Sequence, residues 1–326
     1  MIENKLEQTL NKDTVIVICG PTASGKSSLA VSLAIYLHNM NILPEGAEIV
    51  SADSMQIYRK LDIGTAKITA ADSSGIRHHM IDICEPHEYY SVAQYKREAT
   101  AVIRDIQARN KIAIVCGGTG QYLSALIDGI EFVETPVDLN LRDKLSKRAD
   151  EEGLASMLME LQTQDPETAA RLSISDRKRI IRAHEIIVST GKTPTEINRE
   201  SRQKGPDFKF KAYCLSPDRE LLYERINMRT SSMLKQGWIE ETKQVIESGI
   251  PTTSTSMQAI GYRQIIAYLN GDNSLDEATS EIQQATRRYA KRQLTWFRKM
   301  PQLKWLETAD QDSALKLILA DLALNL

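Results

Sequence analysis

Gly20-Pro-Thr-Ala-Ser-Gly-Lys-Ser27 has the residue types and spacing of an anion cradle. In the pattern G-x-x-x-x-G-K-[ST] the glycines let the backbone wrap phosphate oxygens with its N–H groups, and Lys26 adds a point charge for the terminal phosphate. The Ser27 hydroxyl is suited to Mg²⁺. Such a loop selects an oligophosphate without selecting a nucleotide. A nucleotide hydrolase or kinase of this class also needs an apolar strand ending in an Asp that holds Mg²⁺ through water. Here the strand Ile112 to Cys116 ends in Gly117-Gly118-Thr119-Gly120, whereas Asp53 follows a different strand, Glu48 to Val50, and continues into Ser-Met-Gln-Ile-Tyr58. The residues alone leave two choices open: a small-molecule kinase, or another transferase that uses a diphosphate.

The elements that must hold these groups are legible from periodicity. Thr14-Val-Ile-Val-Ile-Cys19 is a short β-branched run, and Leu29, Ala30, Leu33, Ala34 and Leu37 follow it at helical spacing within Ser27 to His38. Strand then helix is the setting in which this loop meets phosphate at a helix N-terminus. Further strands are expected at Glu48–Val50, Lys111–Cys116 and Phe210–Leu215, with a helix over Tyr90–Ala108. The alternation predicts an α/β phosphate-loop core with a parallel sheet flanked by helices. Between Pro136 and Pro206 the buried-strand patterns stop, and Gly153, Pro166 and Gly191/Pro194 divide a charged stretch into about four helices. The expected organisation is a first core part over 1–135, an all-helical insertion over 136–206, and core completion with basic helices over 207–326.

Charge placement adds a second clue. Ser274-Leu-Asp-Glu277 reads as a capping box and Pro301 as a stop. At about 100° per residue, Arg287, Arg288, Lys291, Arg292, Arg298 and Lys299 share one side, opposite Ile282, Tyr289, Leu294, Trp296 and Phe297. No acidic residue lies between Glu281 and Glu307. Like charges four apart repel, so this stripe points to an external polyanion. In Ser175–Thr190, Ile180, Ala183, Ile187 and Val188 mark the buried arc, Lys178 and Arg182 point away from it, and Arg179 is on the flank.

The whole chain restricts the classes. Its 326 residues suggest about two domains. With 42% hydrophobic and 26% charged residues, disordered and fibrous classes are excluded. No apolar run approaches the roughly 20 residues of a bilayer span, and Met1–Gln8 lacks the pattern of a signal peptide. The four cysteines, Cys19, Cys84, Cys116 and Cys214, have neither zinc-ribbon spacing nor that of a disulfide framework. The adjacent His78 and His79 read as structural, since no third ligand lies at metal-site spacing. A cytoplasmic protein is expected. The net charge of −2 gives no global hint of nucleic acid.

After the phosphate loop come Ser51-Ala-Asp-Ser-Met-Gln-Ile-Tyr58, Leu61-Asp-Ile-Gly-Thr-Ala-Lys67, His78-His-Met-Ile-Asp82, Gly117-Gly-Thr119 and Asp176 to Arg182. Gln258-Ala-Ile-Gly-Tyr-Arg263 and Lys291-Arg-Gln-Leu-Thr-Trp296 follow. This ordered set, spread from about Val15 to Trp305, resembles the bacterial tRNA dimethylallyltransferase (tRNA isopentenyltransferase) family. The resemblance implies transfer of a dimethylallyl group from dimethylallyl diphosphate to the exocyclic amine of adenosine 37 in tRNA. Gly20, Thr22, Ala23, Ser24, Gly25, Lys26 and Ser27 would then hold the departing diphosphate, with Mg²⁺ on Ser27, and Arg229 would meet it. Thr119 would lie by the reacting groups. Asp53 would be the general base, although the residues alone also allow it to hold Mg²⁺ through water or to cap a helix.

The resemblance further implies that Ser54, Met55 and Gln56, together with Asp53 and Thr119, meet the target base. Contacts to the tRNA would come from Arg142, from Lys178, Arg179, Ile180, Ile181 and Arg182, and from Gln258, Gly261, Tyr262 and Arg263. Lys291, Arg292, Gln293, Thr295, Trp296 and Arg298 would add to them. The implied partners are dimethylallyl diphosphate and the tRNA anticodon stem-loop, met by a monomer without a membrane. A related enzyme that prenylates free adenine nucleotides is a rival, but it would not need the basic stripe. With no cysteine beyond Cys214 in this sequence, the C-terminal zinc finger of eukaryotic members is not expected.

Overall fold

The computed structural model describes residues 13–39, 46–132, 138–308 and 310–324. Met1–Gln8 and the boundary at Pro136 lie outside the described residues. The chain divides into two units, one running to Ile127 and resuming at Asp207, the other Asp128–Pro206.

In the first unit the elements run β1 (Thr14–Cys19), α1 (Lys26–Asn39), β2 (Ala47–Ser51), β3 (His78–His79), α2 (Val92–Ala108), β4 (Ile112–Gly117) and α3 (Gly120–Ile127). Helix α2 starts later than its apolar pattern because Ser91 caps it: Ser91 Oγ accepts from Gln94 N at 3.1 Å, and Gln94 Oε1 accepts from Ser91 N at 2.8 Å. The second unit holds α4 (Leu139–Glu151), α5 (Leu154–Gln164), α6 (Pro166–Ala169), α7 (Arg177–Thr190) and α8 (Pro194–Glu200). Pro166 therefore opens a short helix in addition to separating two others. Back in the first unit come β5 (Lys209–Leu215), α9 (Arg219–Lys235), α10 (Trp238–Glu247), α11 (Tyr262–Leu269), α12 (Leu275–Phe297), β6 (Leu303–Leu306) and α13 (Gln311–Leu324).

Among the described residues the strands form one sheet in the order β3-β2-β4-β1-β5-β6, and every neighbouring pair is parallel. Alternate side chains enter two cores. Ile16, Ile18, Ile49 and Ile114 meet Leu29 and Leu33 of α1 and Ile318 of α13. Val15, Val17, Val50 and Val115 meet Tyr95 and Ile103 of α2, Leu123 of α3 and Phe297 of α12. Burial on both faces explains why these strands read as unbroken apolar runs. In this order β1 lies between β4 and β5, so the chain reverses its winding there. The crevice at the carboxyl ends of such strands is where open α/β sheets bind ligands. Among the described residues no helix is long and apolar enough to cross a membrane.

The second unit packs Leu145 and Ala149 of α4 and Met157 of α5 against Ile180 and Ile181 of α7. Val188, expected in the buried arc, is instead exposed in the last turn of α7.

Candidate active site

Three strand ends build the site. After β1 the phosphate loop turns back on itself: Ser24 N donates to Pro21 O at 3.3 Å and Lys26 Nζ to the same carbonyl at 3.2 Å. Gly20 is needed because a Cβ there would lie 3.0 Å from both Leu215 O and Ser24 Oγ. Helix α1 begins at Lys26, which leaves its first N–H groups and the exposed Ser27 at the mouth. After β4 the backbone passes so close to Ala52 that a Cβ on Gly117 would sit 2.2 Å from Ala52 O. Ala52 N donates to Cys116 O at 2.8 Å, and Thr119 N to Ala52 O at 3.0 Å.

These bonds set Asp53 after β2 and Thr119 after β4 side by side. Thr119 Oγ1 accepts from Ser54 N at 2.9 Å and lies 3.3 Å from Ser54 Oγ. Asp53 Oδ1 accepts from Met55 N at 2.9 Å. Its second oxygen has no hydrogen bond among the described residues. A side chain not singled out for chemistry joins them. Tyr289 of α12 has its hydroxyl pushed above the usual range, chiefly by burial and also by the charge of Asp53, while hydrogen bonds with the Thr119 and Gln293 side chains pull it down. Its signal in the sequence was an apolar-face position on the basic helix, which reads as core.

Lys26 and Arg229 bring positive charge to the site. Burial lowers the pKa of both, and the negative charge of Asp53 acts on each in the opposite sense. Among the described residues neither forms an ion pair. A desolvated cation without a counter-ion is costly, and an incoming anion relieves that cost. Lys26, Ser27 and Arg229 line one open cleft of about 810 Å³, whose walls also include Val31, Ile63, Ile68 and Met233. Among the described residues no group of three or more His, Cys, Asp or Glu could hold a metal ion. One hydroxyl, Ser27, beside an anion site suits Mg²⁺, which takes one or two protein ligands and completes its shell with phosphate oxygens and water.

Residues 56–300 match the model of a family described as IPP transferase. The chain belongs to the IPP transferase family. It is 42% identical over 306 residues to the tRNA dimethylallyltransferase of Acetivibrio thermocellus, covering 94% of this chain and 95% of that one. It is 44% identical over 297 residues to tRNA dimethylallyltransferase 1 of Citrifermentans bemidjiense, covering 91% and 92%. The fold is similar to the crystal structure of the tRNA isopentenylpyrophosphate transferase of Bacillus halodurans, with a TM-score of 0.69, 36% identity and coverage of 95% and 96%. A eukaryotic dimethylallyltransferase acting on tRNA aligns with a TM-score of 0.76 and 28% identity, over 95% of this chain and 77% of that one.

In this IPP transferase the residues expected to meet RNA fall into two groups. Lys291, Arg292, Thr295 and Arg298 are exposed on α12, as are Gln258 and Arg263 near α11 and Lys178 and Arg179 on α7. Trp296, expected on the buried side, is 44% exposed; its Nε1 donates to Ser124 Oγ at 3.0 Å and its ring covers Gly120, where a Cβ would lie 2.5 Å away.

The other expected contacts are engaged inside the protein. Gly261 and Tyr262 are buried, as are Ile180 and Ile181 in the second unit's core. Gln293 is also buried, and it ties α12 to the loops: Oε1 accepts from Thr22 N at 2.9 Å, and Nε2 donates to Gly118 O at 2.8 Å. The Thr22 amide is therefore already used within the cradle. Gln56 is occupied at both ends, with Oε1 accepting from Ser51 Oγ at 3.1 Å and Nε2 donating to Thr65 O and Ala66 O. Arg287 of the basic stripe is drawn onto α9, donating to Asn227 Oδ1 at 2.7 Å. Arg142 and Arg182 both pair with the buried Glu185, at 3.1 and 3.0 Å. Side-chain periodicity assigns a face; it does not reveal which polar group a neighbouring loop will claim.

Proposed function

We propose that this protein transfers the dimethylallyl group of dimethylallyl diphosphate to the exocyclic amine of adenosine 37 in the anticodon stem-loop of tRNA, releasing diphosphate. The observation that carries this reading is that Lys26 and Arg229, which form no ion pair among the described residues, line one cleft with Ser27, while Asp53 follows β2 with one oxygen held by Met55 N. One allylic carbon–oxygen bond breaks and one carbon–nitrogen bond forms. The electron pair leaves with the bridging oxygen of the diphosphate, where Lys26, Arg229 and the loop amides meet the growing charge; each fixed donor of this kind is worth about 3 kcal/mol. The amine is a weak nucleophile because its lone pair is conjugated into the purine. Asp53 accepts its proton as the bond forms, and Thr119, hydrogen-bonded to Ser54, fixes the loop that presents the carboxylate. Mg²⁺ held by Ser27 and the diphosphate would add positive charge at the leaving group. The target base must leave its stack to reach Asp53, and exposed Lys291, Arg292 and Arg298 supply cations for the surrounding phosphates. Cradle and carboxylate belong to one chain, which suits a monomer.

Labelled dimethylallyl diphosphate incubated with unmodified tRNA, followed by nucleoside analysis, tests the reading. Label in the amine of adenosine 37 is the expected result. Turnover of ATP without tRNA, or label on free adenine nucleotides alone, would overturn it.

A further inference from the structure

Glu241, in the first turn of α10, has partners that the chemistry above does not use. One carboxylate oxygen accepts from Asp62 N at 2.8 Å and Ile63 N at 2.7 Å; the other accepts from Gly64 N at 3.1 Å and from the Tyr262 hydroxyl at 2.6 Å. Successive backbone N–H groups that converge on one point form an anion-binding concavity. This loop therefore carries an anion site of its own, and Glu241 fills it from inside the protein.

The loop so held forms part of the cleft. Asp62, Ile63 and Lys67 line it together with Lys26, Ser27 and Arg229. Lys67, whose side chain is only 6% exposed, pairs with Asp62 and Asp82 and donates to Tyr58 O. Gln56 bonds Thr65 O and Ala66 O on one side and Ser51 on the other, so the loop is also tied to the strand end that carries Asp53. The packing has no slack: a Cβ on Gly64 would lie 2.1 Å from Trp238 Nε1, and one on Gly261 would lie 1.8 Å from the same ring.

We propose that Glu241 is a positioning residue for the diphosphate donor. Its carboxylate locks the 62–67 wall of the cleft against α10, and its own charge is met by four donors, so it does not repel the donor's phosphates. With one of its two oxygens replaced by an N–H₂ group, at least one of the three amides loses its acceptor, the wall loosens, and the freed N–H competes for phosphate in an unproductive place. The inference rests on the reading of the cleft as the donor site.

The test is steady-state transfer with dimethylallyl diphosphate varied at saturating tRNA, with tRNA affinity and folded fraction measured separately. Glu241→Gln keeps the side-chain volume but presents an N–H₂ to the amides. Its KM for the donor should rise about tenfold or more, with kcat and tRNA affinity held within about twofold. Glu241→Asp, which keeps the charge, should recover most of the loss. An unchanged donor KM in Glu241→Gln overturns the inference. So does a joint fall of kcat, donor affinity and tRNA affinity in step with the folded fraction, which is the signature of a merely structural role. Wild-type protein that transfers nothing overturns the functional reading instead, so the two failures are distinguishable.

Discussion

Asp53 has one oxygen anchored by the Met55 amide and the other open, so it can take up a proton without leaving its place. Asp53→Asn preserves that anchor and removes the basicity. Turnover is expected to fall by roughly 10²–10⁴ while tRNA affinity, measured by filter binding, stays at the wild-type level; near-normal turnover would remove Asp53 from the chemistry. Individual residues were legible where the backbone itself needs a type: the phosphate loop with its two glycines, the Ser27 hydroxyl, an Asp after a strand. They were less legible where a side chain serves another side chain. Gln56 and Tyr262 stand in motifs that suggest contact with RNA, yet the carbonyls of Thr65 and Ala66 hold the first and Glu241 holds the second. No spacing rule announces a backbone carbonyl 9 or 10 residues on, or a carboxylate 21 residues back.

Helix α12 does two jobs on two faces. Ser274 and Glu277 start it with a reciprocal capping box, as the sequence predicts. Its inner face turns Tyr289 and Gln293 towards the loops that follow β1 and β4, and its outer face shows Lys291, Arg292 and Arg298 to solvent. The two faces should separate experimentally. Replacing Lys291 and Arg292 by Ala should reduce the steepness of log affinity for tRNA against log salt by roughly one unit per lost phosphate contact, with the donor KM unchanged. Gln293→Ala should leave the salt slope alone and raise the donor KM, because the Thr22 amide and Gly118 carbonyl lose their shared partner; the reverse pattern would refute the division. Periodicity places Trp296 on the inner face, yet the ring is 44% exposed, because the position of α3, with Ser124 and the bare backbone of Gly120, decides where it rests. Strands β3 and β6 escaped periodicity because two and four residues are too short to show a repeat.

At the scale of the whole molecule, the sheet separates chemistry from stability. The groups proposed for catalysis stand at its carboxyl edge. Near the start of β2, the buried Glu48 accepts from Arg109, Lys111 and His79 at 2.6–2.8 Å. Hydrogen bonds, chiefly from Arg109, hold its carboxyl far below the usual range. A carboxyl depressed in the folded state stabilises fully above its unfolded pKa and loses that contribution as pH falls towards the folded value. Glu48→Gln should therefore lower stability at neutral pH by about 3 kcal/mol, and the gap from wild type in denaturant titrations should narrow progressively below about pH 4.5. Activity per folded molecule should not change. A gap that persists at acid pH would assign the loss to packing instead. The parallel α/β class was plain from alternating strands and helices, whereas the strand order was not, because periodicity carries no information on which strands become neighbours.

The Gln293 bridge reaches back 271 positions to Thr22, and β1 has β5 as one of its two neighbours. On the ribosome, then, the glycine turn emerges long before the side chain that braces it. A nascent chain halted before α12 has the glycine turn but lacks the Gln293 brace between Thr22 and Gly118.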